Sequence, residues 1–285
     1  MNEYLTSEVV VDYADGLIGR REALRRLSLM GVGVAVATSM LAACSTPAAT
    51  PAPSSSTPVG PPALPTSPIT FDGLQAAWAP AASPRGAVLV IHENRGLTDH
   101  IRSVAGRLAA SGFSALALDL LSEEGGTARF TDPAQATAAL NAVDPARFIK
   151  DMKTALTELA RRAPSLKLAA MGFCFGGGEV WQLLASGEPR LSAAAPFYGP
   201  FPSGASLTGS KAASVLGIYG ELDSRVNATR DAAEAALTAA GLPHELVTFP
   251  GANHAFFNDT GERYNAPAAT EAYRRLIQWF TDHLS

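Results

Sequence analysis

The sequence predicts an α/β fold, with a mostly parallel central sheet flanked by helices on both faces, and three observations predict it. From Ile69 onward, short apolar runs alternate with stretches of helical periodicity, the pattern of strands joined by right-handed crossovers and covered on both sides. The central runs, residues 87–91 above all, are continuously apolar rather than alternating, as strands buried on both faces must be. The residues able to do chemistry fall just after such runs, where ligands sit in parallel sheets.

Each element follows from local pattern. Residues 69–71 and 74–78 flank Asp72-Gly73, a dipeptide suited to a tight hairpin turn. The strand at 87–91 leads to a helix over 101–111, with Ile101, Val104, Ala105 and Leu108 on one face and Gly112 as its stop. A strand follows at 114–118. The spacing of Phe148, Met152, Leu156 and Leu159 predicts a helix over 145–162 capped by Asp144. The alternation continues as strand 167–173, helix 177–186, strands 193–197 and 213–219, helix 225–240, strand 244–249 and a closing helix 268–283.

The totals bound the function. The 285 residues, 47% hydrophobic and 17% charged, allow one large core in a domain spanning 69–285. A net charge of −4 with no concentrated Lys/Arg face argues against a nucleic-acid partner, which needs such a face to neutralise phosphates. Only Cys44 and Cys174 are present, which excludes a disulfide framework and a zinc site built from cysteine pairs. No His/Asp/Glu cluster has ligand spacing, so neither metal nor other cofactor is expected.

Residues 1–44 are expected to be an address rather than fold. Arg20-Arg21 and Arg25-Arg26 precede an uncharged run from Leu27 that ends in Leu41-Ala42-Ala43-Cys44. A charged segment, a short apolar segment and small residues at a cleavage point make a signal peptide. The paired arginines resemble a twin-arginine export signal, although Ala23 stands where a bulky apolar residue is usual. Leu-Ala-Ala-Cys resembles a bacterial lipobox, which would leave Cys44 as a lipid-carrying first residue. The run is marginal for an uncleaved anchor, since a span needs roughly 20 apolar residues. Residues 45–68, dominated by Pro, Ser, Thr and Ala, predict a disordered tether. The expected location is outside the cytoplasm: a cell-envelope lipoprotein meeting the membrane only through its lipid, or a periplasmic or secreted protein.

Three residues after strands carry the chemistry. Met171-Gly172-Phe173-Cys174-Phe175-Gly176 has the Gly-x-nucleophile-x-Gly form of a strand-to-helix elbow, with Cys in place of Ser. The helix starting beneath Cys174 favours negative charge and is expected to lower the thiol pKa. Asp223 follows the strand at 213–219 and His254 follows the strand at 244–249, giving the chain order nucleophile, acid, histidine. In such a set the imidazole takes the thiol proton and the carboxylate fixes the imidazole's tautomer. The loop His92-Glu93-Asn94-Arg95-Gly96 and the backbone N–H of Phe175 are placed to form an oxyanion hole.

These motifs, with Gly251-Ala252-Asn253-His254-Ala255-Phe256, resemble the dienelactone hydrolase (carboxymethylenebutenolidase) family of α/β-hydrolases over essentially all of 69–285. The resemblance implies an α/β-hydrolase fold and hydrolysis of a small-molecule carboxylic ester or lactone through a thioester on Cys174. It also implies that Glu93 lies beside the thiol and helps form the thiolate, with the Asn94 N–H in the oxyanion hole. Family members acting on dienelactone hold its carboxylate with arginines, one of them four residues after the catalytic histidine. That position is Asn258 here. Arg95, Arg129 and Arg147 are candidates to compensate, and Arg95, Tyr198 and Asn258 are candidate pocket residues. The departure leaves a general esterase or polyesterase open. Two readings from other classes compete: an idle ligand-binding envelope lipoprotein, disfavoured by the complete triad, and a thiol redox protein, disfavoured by the missing resolving cysteine. A monomer is expected.

Overall fold

The computed structural model describes residues 2–14, 17–42 and 58–285. Eight strands form one sheet: β1 (Ser67–Phe71), β2 (Leu74–Ala79), β3 (Ala87–Ile91), β4 (Ser114–Asp119), β5 (Leu168–Phe173), β6 (Leu191–Phe197), β7 (Ser214–Gly220) and β8 (His244–Phe249), in the order β1-β2-β4-β3-β5-β6-β7-β8. The β1–β2 hairpin and the β2–β4 pair are antiparallel, and every pair from β4 through β3 to β8 is parallel. Asp72 and Gly73 both take positive φ, 45° and 79°, the mirror-image turn that matches the twist of a two-residue hairpin. Every residue of β3, β4, β5 and β7 is buried, which is why these segments read as unbroken apolar runs.

Helices cover both faces. α4 (Asp99–Ala110), α6 (Pro145–Arg162), α7 (Phe175–Ala185), α9 (Arg230–Ala240) and α10 (Ala266–Leu284) match the expected helices to within two residues, apart from the start of α9. In α6 the Asp144 carboxylate accepts from Ala146 N at 2.9 Å, Pro145 occupies the first turn, and Phe148, Met152, Leu156 and Leu159 are fully buried. Each such side chain stabilises the fold by about 1.5–3 kcal/mol relative to exposure. The helix expected over 225–240 is instead two, α8 (Ser224–Asn227) and α9. Thr229 divides them: its hydroxyl donates to Val226 O at 2.8 Å and accepts from Phe201 N at 3.0 Å, so it serves a neighbouring loop. A further helix, α5 (Pro133–Ala142), is capped by Asp132 and opened by Pro133.

Two departures concern the N-terminal quarter. Residues 58–68, assigned by composition to the tether, lie against the domain. Val59 is fully buried, its carbonyl accepts from Arg107 Nη1 at 3.0 Å, and Leu64 N donates to Gly106 O at 3.1 Å. Gly106 permits this approach, because a Cβ there would fall 2.2 Å from Leu64 O. Residues expected to be address alone form α1 (Asn2–Ala14), α2 (Arg20–Leu29) and α3 (Val34–Ala42). Val9, Ala23, Leu27, Ala37 and Leu41 make a small cluster of their own, while Leu5 is buried in the main core. Among the described residues no helix is long and apolar enough to cross a membrane. Cys44 and residues 45–57 lie outside the described residues.

Candidate active site

The bend between β5 and α7 carries Cys174. Its φ of 56° and ψ of −117° are strained for a residue with a side chain, and its N–H is held by Phe197 O at 3.0 Å. The bend exists because its flanks are bare. A Cβ on Gly172 would lie 2.2 Å from Gly176 O, and one on Gly176 would lie 2.4 Å from His92 O. No real Cβ tolerates either approach.

Asp223 and His254 arrive from beyond the ends of β7 and β8. Asp223, after β7, caps α8 by accepting from Val226 N at 3.1 Å. Its other oxygen lies 2.5 Å from His254 Nδ1, with Asp223 4% and His254 1% exposed. His254 sits in the loop after β8, where its N–H donates to Asn253 Oδ1 at 2.7 Å. Cys174 Sγ lies within 4.8 Å of a His254 nitrogen. The three residues singled out by chain order therefore converge.

The loop after β3 completes the centre. His92 is buried, with Nδ1 2.6 Å from Glu93 O and Nε2 accepting from Leu120 N at 3.1 Å. That pairing leaves the proton on Nδ1, and burial depresses the His92 pKa, so a neutral ring fixes the Glu93 peptide. Glu93 Oε2 accepts from Asn258 Nδ2 at 2.7 Å. Thr137 Oγ1 donates to Asn94 O at 2.8 Å and so orients the Asn94 peptide. Asp119 bonds the N–H groups of Leu121 and Thr127, as a residue ending a strand commonly does.

A cavity of about 270 Å³ reaches Cys174 and is lined by Glu93, Asn94, Arg95 and Asn258. Tyr198, expected on the pocket wall, is instead fully buried, with φ 36° and its ring 5.2 Å from that of His254. Its hydroxyl has no hydrogen-bond partner among the described residues. Arg147 is held by Glu124 at 2.5 Å and Arg129 by Glu124 O at 3.2 Å, so of the three arginines considered only Arg95 lines the cavity. His100 is buried and bonds Asp259 at 3.0 Å.

Sequence reasoning missed the opposite wall, which α1 supplies. Tyr4 OH lies 3.4 Å from Cys174 Sγ. Glu8 places one carboxylate oxygen 3.3 Å from His254 Nε2 and the other 2.6 Å from Arg225 Nη2. Asp12 lies 3.0 Å from Arg263. The available signals were a stripe of polar residues every four positions in 2–14 and an arginine two residues after Asp223.

These neighbours set the electrostatics. Burial pushes the Cys174 thiol pKa up, Glu8 adds to the rise, and His254 opposes both; the lowering expected from the helix N-terminus is outweighed. Burial works against a charge on His254, yet Glu8, the Cys174 thiolate and Asp223 together raise its pKa well above the usual imidazole range. Asp223, despite its burial, is held below the ordinary carboxylate value by His254 and by the Val226 N–H. Among the described residues the one cluster of metal-ligating side chains is Glu8, Cys174 and His254. Its carboxylate is already engaged by Arg225, so the cluster describes the contact between α1 and the triad.

A parallel sheet with an elbow after β5, an acid after β7 and a histidine after β8 defines an α/β-hydrolase. The chain belongs to the dienelactone hydrolase family, whose model matches residues 72–284, and it is a hydrolase acting on ester bonds. A protein of Escherichia coli O157:H7 provisionally named a carboxymethylenebutenolidase is 31% identical over 212 residues, covering 70% of this chain and 78% of its own. One of Methylorubrum extorquens with the same name is 32% identical over 213 residues, 70% of this chain and 73% of its own. Among solved structures, a provisionally named dienelactone hydrolase of Klebsiella pneumoniae is 30% identical with a TM-score of 0.65, covering 75% of this chain and 96% of its own. A dienelactone hydrolase-like promiscuous phosphotriesterase from metagenomic libraries is 25% identical with a TM-score of 0.67, covering 78% of this chain and all of its own.

Proposed function

We propose that the chain is an exported, lipid-anchored hydrolase of carboxylic esters or lactones whose nucleophile is Cys174. The observation that carries this reading is the convergence of Cys174, His254 and Asp223, with Asp223 2.5 Å from the far imidazole nitrogen. His254 Nε2 accepts the thiol proton as Sγ attacks the acyl carbon. The carbonyl electron pair moves onto oxygen, which the N–H groups of Phe175 and Asn94 receive; losing one such donor typically costs about 10²–10³ in turnover. Collapse forms a thioester and expels the alkoxide, which takes the proton from His254. Water, deprotonated by the same imidazole, then attacks the thioester, releasing the acid and restoring the thiol.

Glu93, held by Asn258 at 2.7 Å, assists thiolate formation when substrate enters. Because an amide stands at 258 where an arginine would clamp a substrate carboxylate, we infer simple aryl or acyl esters as the preferred class over dienelactone itself. The export reading rests on Arg20-Arg21, the uncharged run after Leu27 and the Leu-Ala-Ala-Cys44 sequence.

The test is a panel of p-nitrophenyl esters plus dienelactone, run on the chain beginning at Ser45 and on its Cys174→Ala variant. Hydrolysis is expected in the first, abolished by iodoacetamide, and absent in the second. Equal rates in both would remove the mechanism, and no turnover of any ester would favour a ligand-binding role.

A further inference from the structure

We propose that residues 2–14 are an intramolecular inhibitor, and that the groove they fill over Cys174 is a docking surface for an acidic helix presenting Tyr, Glu and Asp at four-residue spacing. This deepens the hydrolase reading and rests on it for its consequence, a silent enzyme until the leader is removed. The helix lies wholly outside the span matched by the family, which begins at residue 72, so its contacts are not part of the shared architecture.

Residues four apart lie above one another on a helix, so Tyr4, Glu8 and Asp12 form one stripe, and each meets a different part of the site. The Tyr4 hydroxyl covers the sulfur at 3.4 Å, and the Arg225 guanidinium lies 4.2 Å from the Tyr4 ring centroid. The Glu8 carboxylate bridges Arg225 at 2.6 Å and His254 Nε2 at 3.3 Å, which is the nitrogen that must receive the thiol proton. Asp12 pairs with Arg263 at 3.0 Å, and Arg26 of α2 lies 3.7 Å from the same carboxylate. Leu5, one residue from Tyr4, is fully buried in the main core and anchors the helix.

The consequence is twofold. Cys174 is left 3% exposed, and the base faces a carboxylate instead of a substrate. The negative charge of Glu8 also raises the thiol pKa, so the leader suppresses the nucleophile electrostatically as well as sterically. The surface recognises its occupant by chemistry: two guanidiniums take two carboxylates one helical turn apart, and a thiol–imidazole pair takes the phenol and the first carboxylate. Cleavage before Cys44 severs the leader from the domain.

The experiment uses the full chain carrying Cys44→Ser, which blocks lipidation and leaves Cys174 the sole thiol. Iodoacetamide labelling of Cys174, read by intact mass, is compared in this chain, in its Tyr4→Ala/Glu8→Lys variant, and after cutting at a protease site introduced at 48–53. Labelling is expected to accelerate about tenfold or more in the variant and in the cut chain, since reactivity scales with the open fraction. A synthetic peptide of residues 1–16 should restore protection to the cut chain, and the same peptide with Glu8→Lys should not. A smaller acceleration in both, or no protection by the peptide, overturns the proposal. Labelling does not require turnover: faster labelling without ester hydrolysis leaves the docking surface standing and sinks the hydrolase reading instead.

Discussion

Asp223→Asn is expected to abolish nearly all turnover while leaving the fold in place. The two side chains of the pair are almost isosteric, and Asn ranks with Asp as a helix N-cap, so the bond from Val226 N that starts α8 survives. What changes is the partner of His254 Nδ1, now 2.5 Å from a buried carboxylate oxygen. An amide offers its NH₂ group there as readily as its oxygen. With NH₂ facing Nδ1, the ring carries its proton on Nε2, and that nitrogen cannot accept a proton from Cys174. Loss of the matched tautomer in a nucleophile–histidine–acid set lowers turnover by about 10⁴, equivalent to roughly 5.5 kcal/mol of transition-state stabilisation. The folded state exchanges a charge-assisted hydrogen bond for a neutral one, a loss of about 1–2 kcal/mol. Initial rates on p-nitrophenyl acetate at pH 7 with the chain beginning at Ser45, together with thermal unfolding, separate the two effects. A variant that keeps more than a tenth of wild-type turnover would refute the assignment of Asp223 as the residue orienting His254.

Two further outcomes are expected. Asp259 anchors the loop that follows His254, bonding Arg107 at 2.5 Å and His100 at 3.0 Å, and these partners hold its pKa at about 2 despite its burial. A depressed carboxylate pKa stabilises the fold above the unfolded value near 3.8 and loses that contribution as pH falls through about 2. Asp259→Asn should therefore cost about 2 kcal/mol at pH 7, with the difference shrinking between about pH 4 and 2; urea unfolding across that range would expose a constant difference if the ion pairs were idle. Cys44→Ala should move the protein from the membrane fraction to the soluble fraction of expressing cells, and unchanged membrane association would exclude lipid attachment at Cys44.

The convergence of Cys174, Asp223 and His254 was legible because it is a matter of order and of turns. Gly172 and Gly176 announce a bend too tight for side chains, Asp223 follows a fully buried apolar strand, and His254 follows the half-exposed edge strand β8. The fully buried strands were legible for the same reason. Elements without a face of their own were not. Residues 133–142 are rich in Ala, so periodicity says little, and only Asp132-Pro133 marks the start of α5. The break at Thr229 depends on the Phe201 N–H, a contact from a distant loop that no local pattern encodes. Residues 58–68 have the composition of a tether, yet Val59 and the Leu64 N–H are fixed by Arg107 and Gly106 on α4, a tertiary effect that overrides composition.

The N-terminus shows how one stretch can satisfy two patterns. Arg20-Arg21 and the run toward Cys44 read as an address, and an address needs nothing from residues 2–14 beyond exposure. Those residues nonetheless carry Tyr4, Glu8 and Asp12 on one helical stripe with Leu5 beside it, and the stripe meets a thiol, an imidazole and two guanidiniums. Those guanidiniums belong to the domain at 69–285: Arg225 lies in α8, two residues after Asp223, and Arg263 lies in the loop that follows His254. Arg225 adds to the lowering of the Asp223 pKa, behind His254 and the Val226 N–H, while the hydrogen bonds of Asp223 go to Val226 N and the imidazole. Its own hydrogen-bonded ion pair is with Glu8 at 2.6 Å. The same two loops that bring Asp223 and His254 toward Cys174 thus also carry the arginines that α1 meets, so a change that displaces either loop should weaken ester hydrolysis and the docking of residues 2–14 together.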